Sequence, residues 1–105
     1  MNILFVCSRN KWRSATAETI FKNHPIYQVR SAGTEPSARI KLSAKLLNWA
    51  DLIFVMERKH KQRIREKFAH QIEHAAMIVL DIPDEYQYMD EALIEELRAK
   101  VSDHL

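Results

Sequence analysis

The stretch Val6-Cys7-Ser8-Arg9-Asn10-Lys11-Trp12-Arg13-Ser14 decides the fold, because it joins two different hydrophobic patterns. The apolar run Ile3 to Val6 before it predicts a short buried strand. In the segment Ala15 to Phe21 after it, the larger apolar residues fall on one helical face. The stretch is therefore a strand-to-helix turn, with Cys7 where the strand ends and Arg13 where the helix begins.

A turn of this kind is suited to bind anions. N–H groups at a helix N-terminus lack intrahelical partners and carry the positive end of the helix dipole. The same field stabilises a thiolate, so Cys7 is predicted to act as a nucleophile. Arg13 offers a planar fork that fits two oxygens of a phosphoryl group, and Ser14 is placed to donate a hydrogen bond to the thiolate. These residues predict a covalent phosphatase site in which the backbone N–H groups of residues 8 to 13 hold the phosphate.

The pattern Cys7-x5-Arg13-Ser14, directly after the first strand, resembles the low-molecular-weight protein tyrosine phosphatases. Three later stretches are similar to this family in the same order: Ser31 to Thr34, Ala50 to Met56 and Ile82 to Tyr86. The resemblance covers most of the chain. It implies a three-layer α/β fold whose four-stranded parallel sheet has the order 2-1-3-4 and is flanked by helices. It also implies hydrolysis of protein phosphotyrosine through a phosphocysteine intermediate, with no cofactor and no metal.

The resemblance assigns the general acid to the loop after the last strand. Asp84 matches this residue, which protonates the leaving oxygen and then activates water. Two alternatives stay open: Asp84 is a turn residue after Pro83, or Asp81 is the acid instead. Tyr86 could stack on an aryl phosphate or pack half-buried in the loop.

The loop around the phosphate departs from the family at two positions. The predicted substrate-binding residues are Ser8, Arg9, Asn10, Lys11, Trp12 and Ser14, together with Tyr86. Asn10 matches the asparagine that braces the family's loop, and it is the loop residue best able to adopt a left-handed conformation. Arg9 stands where the family usually has glycine, and Trp12 replaces a second cysteine. Because the segment 34 to 50 is shortened, Trp12 or Trp49 could replace the aromatic wall that this segment supplies in the family.

The rest of the chain alternates strand and helix patterns, which favours an α/β fold with a parallel sheet. Further strands are predicted over Tyr27–Ser31, Leu52–Met56 and Ala76–Leu80, and helices over Lys41–Trp49, over Arg58–Phe68 and after an N-cap at Asp90. The two later strands are expected to be buried. Gly33 is the only glycine, and it follows the second strand where a sharp turn is expected.

The length, cysteine count and charge of the chain exclude several classes of protein. A chain of 105 residues is expected to form one domain over residues 1–105. No apolar run is long enough for a membrane span, and no signal-peptide pattern begins the chain, so a cytoplasmic protein is expected. A single cysteine excludes an intrachain disulfide and a cysteine-built metal site. The net charge of +2 is too small to indicate nucleic acid, the histidines lack metal-ligand spacing, and the charged residues of Arg58–Lys67 predict a solvated helix face.

The expected partners are a phosphorylated protein or a small aryl phosphate, with inorganic phosphate, sulfate or vanadate as anion ligands. Three alternatives stay open. The first is a non-catalytic phosphate-binding module. The second is a phosphocysteine carrier of the sugar-phosphotransferase type, against which Arg13 argues because a carrier's phosphocysteine must survive until transfer. The third is an arsenate reductase, which with one cysteine would need an external thiol.

Overall fold

Strands and helices alternate along the chain in the computed structural model, which describes residues 1 to 105. The strands are β1 (Asn2–Cys7), β2 (Gln28–Gly33), β3 (Leu52–Val55) and β4 (Ala76–Val79). The helices are α1 (Arg13–Phe21), α2 (Ala44–Trp49), α3 (Arg58–Phe68) and α4 (Glu91–Ser102), with a 3₁₀ turn at Ala69–Ile72. All strands pair in parallel in the order β2-β1-β3-β4, which confirms the predicted α/β fold and strand order.

The sheet is covered on both faces, and each face has its own apolar core. Along β1, Ile3 and Phe5 point to the side covered by α1 and α4, and Leu4 and Val6 point to the side covered by α2 and α3. This alternation makes β1 the buried centre of three layers. The end of β1, at Cys7, is therefore held from both sides. None of the helices combines the length and the apolar character that a membrane span requires.

Helix α2 and strand β4 differ from the sequence-based prediction. Helix α2 begins three residues later than predicted, because Ser43 is its N-cap and accepts a hydrogen bond from the Leu46 N–H at 3.2 Å. Lys41 instead forms an isolated parallel bridge with Gly33. Strand β4 was predicted to be buried, but it lies at an edge of the sheet and most of it is half-buried.

Gly33 does not serve the sharp turn that its position suggested. It is the last residue of β2 and has no positive φ. A Cβ atom at this position would lie 2.6 Å from the carbonyl oxygen of Ser8 and 2.6 Å from the Cβ of Ala38. The glycine is therefore required by the close approach of β2 to the loop after β1.

Candidate active site

The loop between β1 and α1, Ser8 to Trp12, is named the anion loop here because of its backbone arrangement. Its turn depends on Asn10, which has a φ of 55° as the sequence predicted. The carbonyls of Cys7, Ser8 and Arg9 accept hydrogen bonds of 2.9–3.0 Å from the backbone N–H groups of Thr34, Glu35 and Arg39, respectively. The Nε of Arg39 donates to the carbonyl of Asn10 at 3.1 Å. The segment after β2 thus binds the carbonyl side of the anion loop.

The backbone N–H groups of the anion loop, unlike its carbonyls, are mostly free of partners within the protein. The backbone N–H groups of Ser8, Arg9, Lys11 and Trp12 donate to no acceptor within the protein. They lie directly before α1, where the helix dipole adds positive potential. Free N–H groups at such a position form a site for a phosphate-like anion.

A cavity beside this loop brings most of the predicted site residues together. It is lined by Cys7, Ser8, Arg9, Lys11, Trp12, Arg13 and Asp84. These residues come from the end of β1, the anion loop, the start of α1 and the loop after β4. The parallel sheet places the carboxyl ends of its strands at one edge, which is where such sites form in α/β folds.

The sulfur of Cys7 lies within a small hydrogen-bonding network. The Oγ of Ser14 is 2.9 Å from Sγ, and the backbone N–H of Asn10 donates to Sγ at 3.2 Å. The side-chain amide of Asn10 donates to Ser14 Oγ at 2.7 Å, so the hydroxyl hydrogen of Ser14 can be directed at the sulfur. Ser14 lies inside α1, whose N-cap position is Trp12, so its hydroxyl does not cap the helix.

Asn10 extends this network to β2. Its side-chain amide also donates to Ser31 Oγ at 2.8 Å, and Ser31 in turn donates to the carboxylate of Glu18. Asn10, Ser14 and Ser31 are all buried. The amide therefore connects the sulfur-contacting hydroxyl of Ser14 to a second strand and fixes the shape of the loop.

Arg13 is almost fully buried, with 2% of its surface exposed. Its Nη1 donates to the carboxylate of Glu57 and, at 2.8 Å, to the carbonyl of Ile82. This leaves Nε–H and the Nη2 group available to an anion in the cavity. Burial raises the pKa of Glu57, but the hydrogen bond and charge of Arg13 outweigh it, and the net pKa lies below the ordinary value. An ionised Glu57 therefore holds the guanidinium in place.

The prediction of a solvated face over Arg58–Lys67 is wrong for His60, because its side chain is completely buried. Its Nδ1 accepts a hydrogen bond from the backbone N–H of Glu57 at 3.0 Å, so the ring proton resides on Nε2. Nε2 lies 2.9 Å from the Oγ of Ser8. Burial, followed by the positive charge of Arg13, lowers the pKa of His60 to about 4, so the ring is neutral near pH 7.

Of the two candidate acids, only Asp84 reaches the cavity. Its Oδ1 lies 3.8 Å from the Nε of Arg13, and its side chain is 56% exposed at the mouth. Asp81 has a φ of 55° and lines a different surface hollow with Glu57 and Lys59. The loop therefore presents the carboxylate of Asp84, and not that of Asp81, to the anion loop.

Tyr86 was predicted as a substrate-binding residue, and its placement does not support that role. Its hydroxyl donates to the carboxylate of Glu96 on α4 at 2.8 Å, and its ring packs against the core between the sheet and α4. It does not line the cavity. The bond to Glu96 raises the pKa of Tyr86. The alternative of a half-buried ring that packs the loop describes its position.

The aromatic surface of the cavity comes from Trp12, which is partly exposed. The other candidate, Trp49, packs against the opposite core, where Arg30 lies over its ring at 4.5 Å. The Arg9 side chain extends to the surface and pairs with Glu35 at 3.4 Å, and its φ is not positive, so the absent glycine imposes no backbone strain. No group of three or more His, Cys, Asp or Glu side chains is placed to hold a metal ion.

Glu57 and His60 are the site residues that sequence reasoning missed. Both belong to the N-terminal turn of α3, where they form a capping box. A signal for Glu57 does exist: it follows the apolar strand β3 by two positions, and β3 neighbours β1 in the sheet. Residues that follow neighbouring parallel strands lie at the same edge, so Glu57 could have been expected near Arg13.

The fold is that of the low-molecular-weight protein tyrosine phosphatases, as comparison with solved structures shows. The tyrosine phosphatase Wzb from Escherichia coli, in complex with phosphate, has a TM-score of 0.78 and 21% identity over 98% of this chain and 94% of its own. The low-molecular-weight protein tyrosine phosphatase SP-PTP from Streptococcus pyogenes has a TM-score of 0.77 and 18% identity over 99% and 90%. The YwlE arginine phosphatase from Geobacillus stearothermophilus has a TM-score of 0.68 and 21% identity over 98% and 94%. No protein-family sequence model and no curated protein sequence matches the chain.

Proposed function

We propose that this protein hydrolyses phosphomonoesters through a phosphocysteine intermediate on Cys7. One observation carries the proposal: the sulfur of Cys7, the guanidinium of Arg13 and the carboxylate of Asp84 line a single cavity beside four unclaimed backbone N–H groups. A nucleophile, a phosphoryl-binding fork and an acid are the parts that this chemistry requires.

In the first step, the thiolate of Cys7 attacks phosphorus, and a sulfur–phosphorus bond forms as the bond to the leaving oxygen breaks. Asp84 gives its proton to that oxygen, so a neutral alcohol or phenol departs. The anion-loop N–H groups and Arg13 hold the phosphoryl oxygens, whose negative charge is spread over them in the transition state. Ser14, at 2.9 Å from the sulfur, stabilises the thiolate before attack and after release.

In the second step, water attacks the phosphocysteine. Asp84, now ionised, accepts a proton from the water, and the sulfur–phosphorus bond breaks to release inorganic phosphate and the thiolate. The balance of both steps is one ester and one water consumed, with one alcohol and one phosphate produced. The same carboxylate serves as acid and then as base, which is why its exposed position at the cavity mouth suits the role.

The substrate that we propose is protein phosphotyrosine, in the reducing cytoplasm, where a free thiol persists. The indole of Trp12 on the cavity lining supplies a surface for an aromatic ring. Phosphoarginine, a phosphoramidate in which the thiolate would displace a guanidine nitrogen instead of an ester oxygen, is the second candidate, because the structural neighbours include arginine phosphatases as well as tyrosine phosphatases.

The test is hydrolysis of nitrophenyl phosphate, a phosphotyrosyl peptide and a phosphoarginyl peptide by the wild type and by Cys7→Ser. We expect turnover by the wild type, inhibition by vanadate and a phosphoryl group on Cys7 in rapidly quenched samples. Turnover that persists in Cys7→Ser would exclude the mechanism. Phosphate binding without turnover would indicate a binding module, and a long-lived phosphocysteine would indicate a carrier. Reduction of arsenate with an external thiol would indicate the reductase.

A further inference from the structure

A second groove opens beside the active-site cavity, between α1 and the loop that precedes α4. Its polar and charged lining consists of Lys11, Glu18, Thr19, Lys22, Arg39 and Tyr88. This surface is named the basic groove below. None of these residues except Lys11 lines the active-site cavity, so the groove is a separate surface that meets the cavity at one residue.

The charges in the basic groove do not cancel. Glu18 accepts a hydrogen bond from Ser31 and lies 4.0 Å from Arg39, so it offsets the charge of that arginine. Lys11 and Lys22 are exposed, and neither forms an ion pair. Two uncompensated ammonium groups therefore remain along the groove.

The positive charge is continuous with the active site. Lys11 belongs to the anion loop, lines both cavities and has its Nζ 5.2 Å from the centre of the Trp12 ring. Arg39 is tied to the same loop through the carbonyl of Asn10. A ligand whose phosphoryl group occupies the active-site cavity therefore has cationic side chains directly beside it.

The hydroxyl groups that line the groove have no hydrogen left for a ligand. Thr19 donates to the carbonyl of Ala15 at 2.9 Å, and the Tyr88 hydroxyl lies 2.7 Å from Thr19 Oγ1. Since the Thr19 hydrogen is used on Ala15, the Tyr88 hydroxyl donates to Thr19. Both hydroxyl hydrogens are thus used within the protein, so the side chains left to bind an anion are Lys11, Lys22 and Arg39.

We propose that the basic groove binds acidic side chains that flank the phosphorylated residue of a protein substrate. The inference rests on the proposed function, since it takes the active-site cavity as the place of the phosphoryl group. The substrate would then be a phosphorylated protein segment rich in Asp and Glu. Exposed ion pairs are individually weak, and each one is worth a factor of about 1.4 to 5 in affinity.

The experiment measures binding to the Cys7→Ser variant by calorimetry, so that no turnover is needed. The probes are two phosphotyrosyl peptides that differ only in Glu or Gln at the positions on both sides of the phosphotyrosine. We expect the Glu peptide to bind about fivefold more tightly at low salt. Adding Lys22→Gln should reduce this ratio to about two. The matched control Lys67→Gln, which removes the same charge at the far end of α3, should leave the ratio unchanged.

Equal affinities for the two peptides, or failure of both to bind, would overturn the proposal. So would an equal loss of preference in the Lys67→Gln control, because that would reflect net charge alone. Hydrolysis of nitrophenyl phosphate separates this inference from the proposed function, since that ester is too small to reach the groove. Lys22→Gln should hydrolyse it at the wild-type rate. A protein that hydrolyses no ester but retains the Glu preference would contradict the proposed function and leave the groove assignment standing.

Discussion

The Nε2–H of His60 donates to the hydroxyl oxygen of Ser8 at 2.9 Å, although the two residues are 52 positions apart. Because the oxygen of Ser8 accepts this bond, its own hydrogen is free to turn elsewhere, and Ser8 lines the active-site cavity. The ring is held in this tautomer by the backbone N–H of Glu57, whose carboxylate also binds Arg13. The first turn of α3 therefore orients two residues that line the active-site cavity, Ser8 and Arg13.

This arrangement predicts that Ser8 donates a hydrogen bond to the phosphoryl group, with His60 as its positioning residue. Ser8→Ala should lower kcat/KM by about tenfold, the worth of one hydrogen bond to a charged group. His60→Ala should cause a similar loss, and the double variant should lose little more than either single one. Ser8→Thr, which keeps the hydroxyl, is the matched control. Losses that multiply in the double variant would mean that the two residues act independently.

The neutral state of His60 predicts a dependence of stability on pH. Its pKa is about 4 in the folded protein and near 6.5 when unfolded, where burial and the charges of Arg13, Lys59 and Arg63 no longer act. Between these values the unfolded chain binds a proton that the folded one does not. The contribution of His60 to the free energy of unfolding is therefore fully present above pH 6.5. It decreases by ~3 kcal/mol as the pH drops toward 4.

Urea unfolding at several pH values measures this slope. His60→Gln should be less stable than the wild type at neutral pH but should lose much of the slope between pH 6.5 and 4. The matched control is His70→Gln, which removes a histidine whose side chain is 91% exposed and should leave the slope unchanged. Below about pH 4.5, Glu57 adds a loss of the same sign, because its folded pKa is also depressed. An unchanged slope in His60→Gln would show that other groups are responsible.

The burial of Arg13 predicts that lysine cannot replace it. A lysine ammonium could keep the ion pair with Glu57, so Arg13→Lys should fold. A single ammonium group cannot bind Glu57, the carbonyl of Ile82 and an anion with the geometry of the planar fork. We expect kcat to fall by at least about a hundredfold, as for removal of one transition-state donor. Near-wild-type turnover in this variant would exclude Arg13 as the transition-state ligand.

The Cα of Gly33, at the end of β2, packs closely against the backbone of the anion loop. Its substitution should therefore affect both stability and activity. In Gly33→Ala the new Cβ would meet the carbonyl oxygen of Ser8 at 2.6 Å, and backbone cannot move aside without displacing the loop. We expect a loss of about 1–3 kcal/mol in stability together with weaker phosphate binding. The double variant Gly33→Ala with Ala38→Gly removes the contact with the Cβ of Ala38 and keeps those with the backbone of Ser8 and Arg9. It should recover only part of the loss if the backbone contacts decide the effect.

Local patterns predicted the alternation of strands and helices and the anion loop, because both depend on short stretches of sequence, whereas the strand order was implied by the family resemblance. The apolar run of β1 and the periodicity of α3 identify their elements without distant contacts, and the loop has no glycine, so Asn10 was the natural left-handed residue. The parallel order of the strands then places the ends of β1 and β3 side by side.

Residues whose role depends on distant partners could not be predicted in the same way. In sequence, His60 is one more polar residue in a basic helix, and only the packing of α3 against the anion loop buries it beside Ser8. Tyr86 has the spacing of a substrate-stacking aromatic, but its hydroxyl donates to Glu96 on α4, and its ring therefore lies outside the cavity. Gly33 looked like a turn residue because close approach between two segments leaves no signal in either one.

The assignment of the general acid to Asp84 gives the last prediction. Asp84 lines the cavity 3.8 Å from Arg13, and Asp81 lines another hollow in a left-handed backbone conformation. General acid catalysis contributes a factor of ~10²–10⁴, and it matters most when the leaving group is poor. Asp84→Asn should therefore slow hydrolysis of phosphotyrosine by about that factor and hydrolysis of nitrophenyl phosphate much less. Asp81→Asn is the matched control, and it should keep kcat on both esters, because asparagine also tolerates a positive φ. The test measures kcat for both variants on both esters, with thermal melts beside it. A loss of kcat that depends on the leaving group in Asp81→Asn alone would reverse the two roles. If neither variant shows such a loss, the loop supplies no general acid.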